Sequence, residues 1–335
     1  MRIATYNVEW FDQLFGNDGR LLDDDHASGR QGVTRADQIA ALGRVFRRLD
    51  ADAVMVVEAP DLSRRRDGAA ALERFAARFG LRARATLAGF ANDTQQELIL
   101  LYDPDRIAAT HDPRDSATAP RFDGAFAIDL DLDGRPEPVT WSKPPLEAQL
   151  TWRDTGRTLR LIGVHAKSKA PIGARDAAHA LRLSIANRRK QLAQCIWLRA
   201  RVVEHLARGE DLIVLGDFND GPGIDLQEQL FGRSSVEIVL GEGDGPQLFD
   251  PHAREALASR IAAQPSTARF YLAHEKRYLA ALLDYVMVSD GLRALNPAWR
   301  IWHPFDDPDC YADPPMRDAL LTASDHFPVS LDLPL

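Results

Sequence analysis

Short apolar runs in this chain end abruptly in an acid, an amide or a histidine. The run Leu212-Ile213-Val214-Leu215 leads into Gly216-Asp217-Phe218-Asn219-Asp220, and a short continuous apolar stretch of this kind fits a strand buried on both faces. The design recurs at Ile3 to Glu9 (IATYNVE), Ala53 to Glu58 (AVMVVE) and Leu159 to Lys169 (LRLIGVHAKSK). Near the C-terminus come Leu282 to Ser289 (LLDYVMVS) and the apolar run Phe327 to Leu333, entered through Ser324-Asp325-His326. A single polar residue at a strand end is ordinarily a turn former or a solvated tip. Its repetition predicts strand ends that converge on one site.

A period of 3.6 marks the helices. Thr34 to Asp50 predicts one, with Thr34 as cap, Asp37 three residues on, and Ile39, Leu42, Phe46 and Leu49 as an apolar stripe. A second is predicted around 68–79, leading to the buried strand ELILLY from Glu97 to Tyr102. Residues 149–152 and 158–165 flank Asp154-Thr155-Gly156, a hairpin signature. The longest helical pattern covers 175–208, with Leu181, Ile185, Leu192, Ile196, Val203 and Leu206 expected inward and Gly209 as the stop. Segments 12–33 and 232–268 read as long loops, either substrate-selecting or merely connecting. Strands joined both by hairpins and by helices predict an α/β fold with mixed sheets.

At 335 residues, 45% of them hydrophobic and 27% charged, the chain can bury an ample core as one large or two small domains. Met1-Arg2-Ile3-Ala4 runs directly into the first strand, and no stretch approaches the ~18 apolar residues of a membrane span, so a cytoplasmic protein is expected. Cys195 and Cys310 are the only cysteines, which excludes a cysteine metal site and implies no disulfide framework. The net charge of −8 argues against sequence-indifferent nucleic-acid binding through bulk positive charge, yet a nuclease that must release its product can be acidic. Arg64-Arg65-Arg66 and Arg188-Arg189-Lys190 read first as solvated faces and second as tracks for a polyanion.

The ordered set Asn7, Glu58, His165, Asp217 with Asn219, Asp284 and Ser324-Asp325-His326 resembles the endonuclease/exonuclease/phosphatase superfamily, from Arg2 to Leu333. GDFND followed by SDHFPV is the specific part, and ATYNVEW alone is weak. The resemblance implies an α/β fold in the form of a four-layer α/β/β/α sandwich, two mixed β-sheets flanked by helices, with 1–335 as a single catalytic domain. It also implies Mg²⁺ or Mn²⁺ on hard oxygen ligands. Glu58 is implied as the principal metal ligand, Asn7 beside it on metal or phosphate, and Asp325 as a further metal-side carboxylate. Glu9 falls where some members place a second acid, and it reads equally as a solvated strand end.

By the same resemblance Asp217 orients or deprotonates the attacking water and Asn219 binds a phosphate oxygen. His326 stabilises the developing charge or acts as the base, with Asp284 on its other ring nitrogen; the choice of base between Asp217 and His326 stays open. His165, in VHAKS, is similar to the strand end of deoxyribonuclease-like members, and Glu97 matches the carboxylate partner they keep for it. A Glu97–His165 pair would orient a second imidazole over the phosphate, and Lys167 or Lys169 would add positive charge there. One departure is Val57, where the family usually has Gln before the metal-binding Glu. The implied activity is divalent-metal-dependent phosphodiester hydrolysis by in-line water attack, first of all as a nuclease with nucleic acid as partner and no protein partner. The acidic charge and loop-rich insertions favour an alternative, a phosphodiesterase or phosphatase for a small-molecule or lipid-derived phosphoester. A non-catalytic binding module is the third reading, set against competent residues at every principal position.

Overall fold

The computed structural model describes residues 1–92, 94, 96–130, 134–222, 232–258, 264–272 and 276–334. The strands are β1 (Arg2–Asn7), β2 (Ala53–Ala59), the two-residue β3 (Leu62–Ser63) and β4 (Arg66–Asp67), β5 (Ala85–Ala88), β6 (Glu97–Tyr102) and β7 (Ile107–His111). There follow β8 (Phe126–Ile128), β9 (Glu137–Val139), β10 (Leu146–Trp152), β11 (Thr158–His165) and β12 (Leu212–Asp217). The last are β13 (Ala268–Leu272), β14 (Arg277–Ala281), β15 (Asp284–Val288), β16 (Ala298–Ile301) and β17 (Val329–Asp332).

Two sheets dominate, in the orders β16-β17-β1-β2-β6-β5 and β15-β12-β11-β10-β7. Both are mixed: β1–β2 and β11–β12 run parallel, whereas neighbours such as β1–β17 and β12–β15 run antiparallel. Strand periodicity explains why β12 is apolar from Leu212 to Leu215. Ile213 and Leu215 turn inward to meet Met55 and Val57 of the first sheet, and Leu212 and Val214 turn outward. Outside the first sheet, α1 (Arg35–Leu49), α2 (Gly68–Phe79) and the Pro314–Ala323 helix bury Phe46, Phe75 and Leu320. Outside the second, α3 (Ala177–Ala207) and the Ser235–Leu240 and Pro251–Ala258 helices bury Trp197, Val239 and Ala253. Three apolar layers between four structural ones make the α/β/β/α sandwich.

The α1 and α2 boundaries follow their caps. Thr34 accepts from the Asp37 amide and Asp67 from the Ala70 amide, and Gly80 ends α2 at φ 62°. The long helix α3 departs from its expected face. Leu181 is exposed and Ile185 half-buried, whereas Arg188, Gln191, Trp197 and Arg201 are buried. Charge goes inward because it is met there: Arg201 pairs with Glu147 and Glu204, at 3.1 and 2.7 Å, and Arg188 with Asp220. The 232–268 segment is also more ordered than a loop. Ser234 and Glu237 form a reciprocal capping box for the Ser235–Leu240 helix, and Asp250 accepts from the Ala253 amide at the start of the Pro251–Ala258 helix. Its residues 259–263 lie outside those described. The 12–33 segment is largely loop, with the bridges Phe15↔Leu21 and Ala27↔Thr34 pinning it.

Candidate active site

Strand register assembles the site. His165 is the Cα partner of Asp217 across β11–β12, and Asp217 is the partner of Asp284 across β12–β15. Three chemistry-bearing residues therefore stand abreast at one end of the second sheet. Gly216, at φ 139°, permits this approach: a Cβ there would come within 2.0 Å of the Val164 carbonyl oxygen. The first sheet contributes Asn7 at the end of β1 and Glu58 from a bulge in β2. Val57 pairs with Leu98 and Ala59 with Glu97, so Glu58 is skipped by the ladder and sits at φ 60°.

Asp217 is the hub and is 1% exposed. Its Oδ2 accepts from Asn7 Nδ2 at 3.0 Å and Asn219 Nδ2 at 3.1 Å, and its Oδ1 from the Asn219 amide at 2.7 Å. Burial, reinforced by the Asp284 charge, pushes its carboxyl up to about 7 although His326 and these amides oppose the shift. His326 Nδ1 lies 2.7 Å from Asp284 Oδ2, which also accepts from the Thr267 hydroxyl at 2.8 Å. Burial disfavours the His326 imidazolium, but the carboxylates of Asp284, Asp217 and Asp325 outweigh it and hold its pKa well above the ordinary value. Asp217, Asp284 and His326 each offer a ligand atom within 4.8 Å of the others, a spacing able to hold a cation. The Asp284–His326 hydrogen bond already accounts for part of that closeness.

The expected Glu97–His165 pair is not formed. Glu97 heads β6 in the first sheet, where its carboxylate accepts from Asn92 Nδ2 at 2.6 Å and faces the Leu62 amide at 3.5 Å; burial pushes it up to about 7. His165 ends β11 in the second sheet, with its Nε2 3.0 Å from Lys143 Nζ and 3.8 Å from Asp217 Oδ2. Its buried Nδ1 has no hydrogen-bond partner among the described residues. Burial, then the positive charge of Lys143, pulls its pKa well below the usual value, so it is neutral at pH 7.

Asn7, Glu58 and Asp325, the residues expected to hold a metal, can all offer oxygen, the donor type that suits a hard divalent cation. Glu58 Oε2 accepts from the Trp10 amide at 2.9 Å. Glu9, the neighbouring acid, accepts from the Asp325 amide at 3.0 Å and from Arg30, and is not a solvated strand end. Burial and the Asp325 charge together push Glu9 up to about 7. Ser324 closes the frame by donating to the Asn7 carbonyl at 2.8 Å and accepting from the His326 amide at 3.1 Å.

Three residues escaped the sequence reading. Lys143, in WSKPP before β10, has the His165 contact, and burial pulls its amine down to about 8 against the raising charges of Glu58 and Asp217. A lone lysine beside Pro-Pro carries little sequence signal. Thr267 holds Asp284, and Arg30 reaches Glu9 from a loop; neither is distinguishable from other Thr and Arg residues without tertiary contacts. Lys167 lies close enough to His165, Lys143 and Lys190 to lower the pKa of each. Lys169 and Arg188, by contrast, both pair with Asp220 in the wall beneath the site.

A two-sheet sandwich with this row of carboxylate and imidazole at its strand ends is built for phosphoester hydrolysis. The chain belongs to the Endonuclease/Exonuclease/phosphatase family, whose sequence model matches residues 4–326. The family's enzymes are phosphoester hydrolases and generally depend on a divalent cation. Its fold is similar to that of a family protein from Bacteroides thetaiotaomicron, at 15% identity and TM-score 0.52 over 99% of this chain and 94% of that one. A truncated TDP2 from Caenorhabditis elegans gives 13% identity and TM-score 0.52, covering 99% and 96% of the two chains. A mannosyl-6-phosphatase from Bacteroides thetaiotaomicron gives 14% and 0.51, covering 100% of both. At such identities the likeness is one of fold. No curated protein matches significantly. Among the described residues no helix is long and apolar enough to cross a membrane.

Proposed function

We propose that residues 1–335 are one catalytic domain, an Mg²⁺- or Mn²⁺-dependent phosphodiesterase that cleaves nucleic acid by in-line attack of water. The observation that carries the chemistry is the buried Asp217 carboxylate, fixed by two amide side chains beside a charged imidazole. Glu58, Asn7 and Asp325 would hold the cation. When bound, the cation supplies Lewis-acid polarisation of the phosphoryl group. Asp217, with a carboxyl pushed up to about 7, is matched to taking the proton of the attacking water at neutral pH. His326, held charged by Asp284, stabilises the charge that develops on the phosphoryl oxygens. Lys143 and Lys167 bind those oxygens and neutral His165 orients the Lys143 amine, whereas Asn219, expected on a phosphate oxygen, spends both Nδ2 hydrogens on Asp217 Oδ2 and the Ala166 carbonyl and so fixes Asp217 instead. Glu97, engaged with Asn92 and the Leu62 backbone, takes part in no proton transfer.

Nucleic acid is favoured by the positive charge gathered where Lys167 neighbours both Lys143 and Lys190 in a chain of net charge −8. The test is hydrolysis of plasmid DNA, RNA, bis-p-nitrophenyl phosphate and p-nitrophenyl phosphate with Mg²⁺ or Mn²⁺. Expected are nicking or RNA cleavage and a KM that rises steeply with salt. Robust turnover of a small phosphoester with no nucleic-acid cleavage at low salt overturns the proposal in favour of a small-molecule or lipid-derived substrate.

A further inference from the structure

The β13–β14 hairpin is unused by the chemistry above. Its register pairs Arg269 with Ala280 and Tyr271 with Tyr278. Because strand side chains alternate, Arg269, Tyr271 and Tyr278 share one face, while Ala268, Phe270 and Ala281 turn the other toward Leu283. The root of the hairpin is bonded into the site. Ala268 bridges His326, the Arg269 amide donates to the Asp325 carbonyl at 2.7 Å, and the Phe327 amide to the Thr267 carbonyl at 2.6 Å. The hydroxyl of that same Thr267 holds Asp284.

The outward face is aromatic and cationic. Tyr271 is 44% exposed, Tyr278 54% and, beside them, Phe305 43%. The two tyrosine rings lie 5.2 Å apart, and the Arg269 guanidinium lies 3.6 Å from the Tyr278 ring centre and 5.5 Å from that of Phe305. Large rings left in water next to a catalytic centre forgo the stabilisation of burial, which a ligand would restore. What they present is π surface together with a cation.

We propose that this face is a stacking platform for a nucleobase in a single-stranded stretch beside the scissile phosphate, with Arg269 facing the neighbouring phosphodiester. Bases stack on exposed rings and on guanidinium planes whatever their sequence, and only an unpaired base has a free face to offer. The inference rests on nucleic acid being the substrate.

The experiment compares kcat/KM on two labelled single-stranded oligonucleotides of equal length and equal phosphates, one carrying bases throughout and one with a central abasic tract. The wild-type chain should prefer the base-bearing strand by about five- to 150-fold. Tyr271→Ala/Tyr278→Ala should bring that ratio close to one, and Tyr278→Trp should keep it, each with an unchanged circular dichroism spectrum. A wild-type ratio near one, a double variant that keeps the wild-type ratio, or faster cleavage of duplex than of single strand overturns the platform while leaving the nuclease reading intact. Turnover of p-nitrophenyl phosphate with neither oligonucleotide cut overturns both.

Discussion

Asp284→Asn removes one negative charge from beside His326 and leaves the hydrogen-bond frame standing. Both bonds to this side chain, from His326 Nδ1 at 2.7 Å and from Thr267 Oγ1 at 2.8 Å, go to Oδ2, and the buried Oδ1 has no partner among the described residues. An asparagine oxygen placed where Oδ2 lies would keep both contacts. What disappears is charge assistance: a bond to a charged group is worth about 1.5–3 kcal/mol and a neutral one about 1 kcal/mol, so about 0.5–2 kcal/mol goes. Losing it lowers the His326 pKa, because the Asp284 charge is the largest of the causes that raise it. The pH limb of kcat/KM set by His326 should move to lower pH, and kcat should fall about ten- to a hundredfold. The sign for stability follows from the same shift. A raised imidazole pKa contributes stability fully below the unfolded value of about 6.5, and the contribution is lost as pH rises through the folded value. The stability gap between wild type and variant should therefore be widest on the acid side and narrow as the pH increases. The assays are kcat/KM on bis-p-nitrophenyl phosphate from about pH 5 to 9, and urea unfolding in chelator at both ends of that range. An unmoved limb with kcat within twofold of wild type would show that the Asp284 charge does not govern His326.

Glu58→Ala should abolish tight Mn²⁺ binding measured by calorimetry, and EDTA should remove activity; full turnover in excess chelator refutes the metal assignment. Lys143→Ala should cost about 10–150-fold in kcat/KM, the worth of a charged hydrogen bond. Since burial pulls the Lys143 amine down to about 8, activity should fall as pH climbs past that value; Lys143→Arg, which stays charged, should carry the alkaline limb upward, and an identical limb in both proteins would rule Lys143 out. Asp220→Ala removes the carboxylate that neutralises the buried Arg188 and should destabilise the fold by about 3–5 kcal/mol in urea titration, whereas a loss below about 1 kcal/mol would contradict the ion-pair account.

The strands that carry the site were legible because their apolar runs are buried on both faces and stop at a polar residue. In the structure His326 Nδ1 lies against Asp284 Oδ2, and Asn219 Nδ2 donates to Asp217 Oδ2 and the Ala166 carbonyl. Register was not legible, since the alignment of His165, Asp217 and Asp284 across three strands is set by long-range hydrogen bonds. The same limit explains Glu97, which begins a strand of the first sheet, and His165, which ends one of the second, and also Lys143, whose position is fixed by tertiary packing. On α3 the hydrophobic stripe misled because Arg188 and Arg201 bury charge against acids distant in sequence. The Ser235–Leu240 helix is different in kind: Ser234 and Glu237 form a capping box, a local pattern that stands in the sequence itself.

The row across β11, β12 and β15 ties function to the last stages of folding. Its members come from residues 165, 217 and 284, and Asn7 and His326, which complete the site, are drawn from opposite ends of the chain. No fragment or partly paired intermediate can hold these groups together, because the ladder that aligns them is also the ladder that completes the sheet. Contacts so distant along the chain form late and slowly. Recovered hydrolysis during refolding should therefore lag behind recovered helix content and report sheet closure, and an assay of activity doubles as a clock for topology.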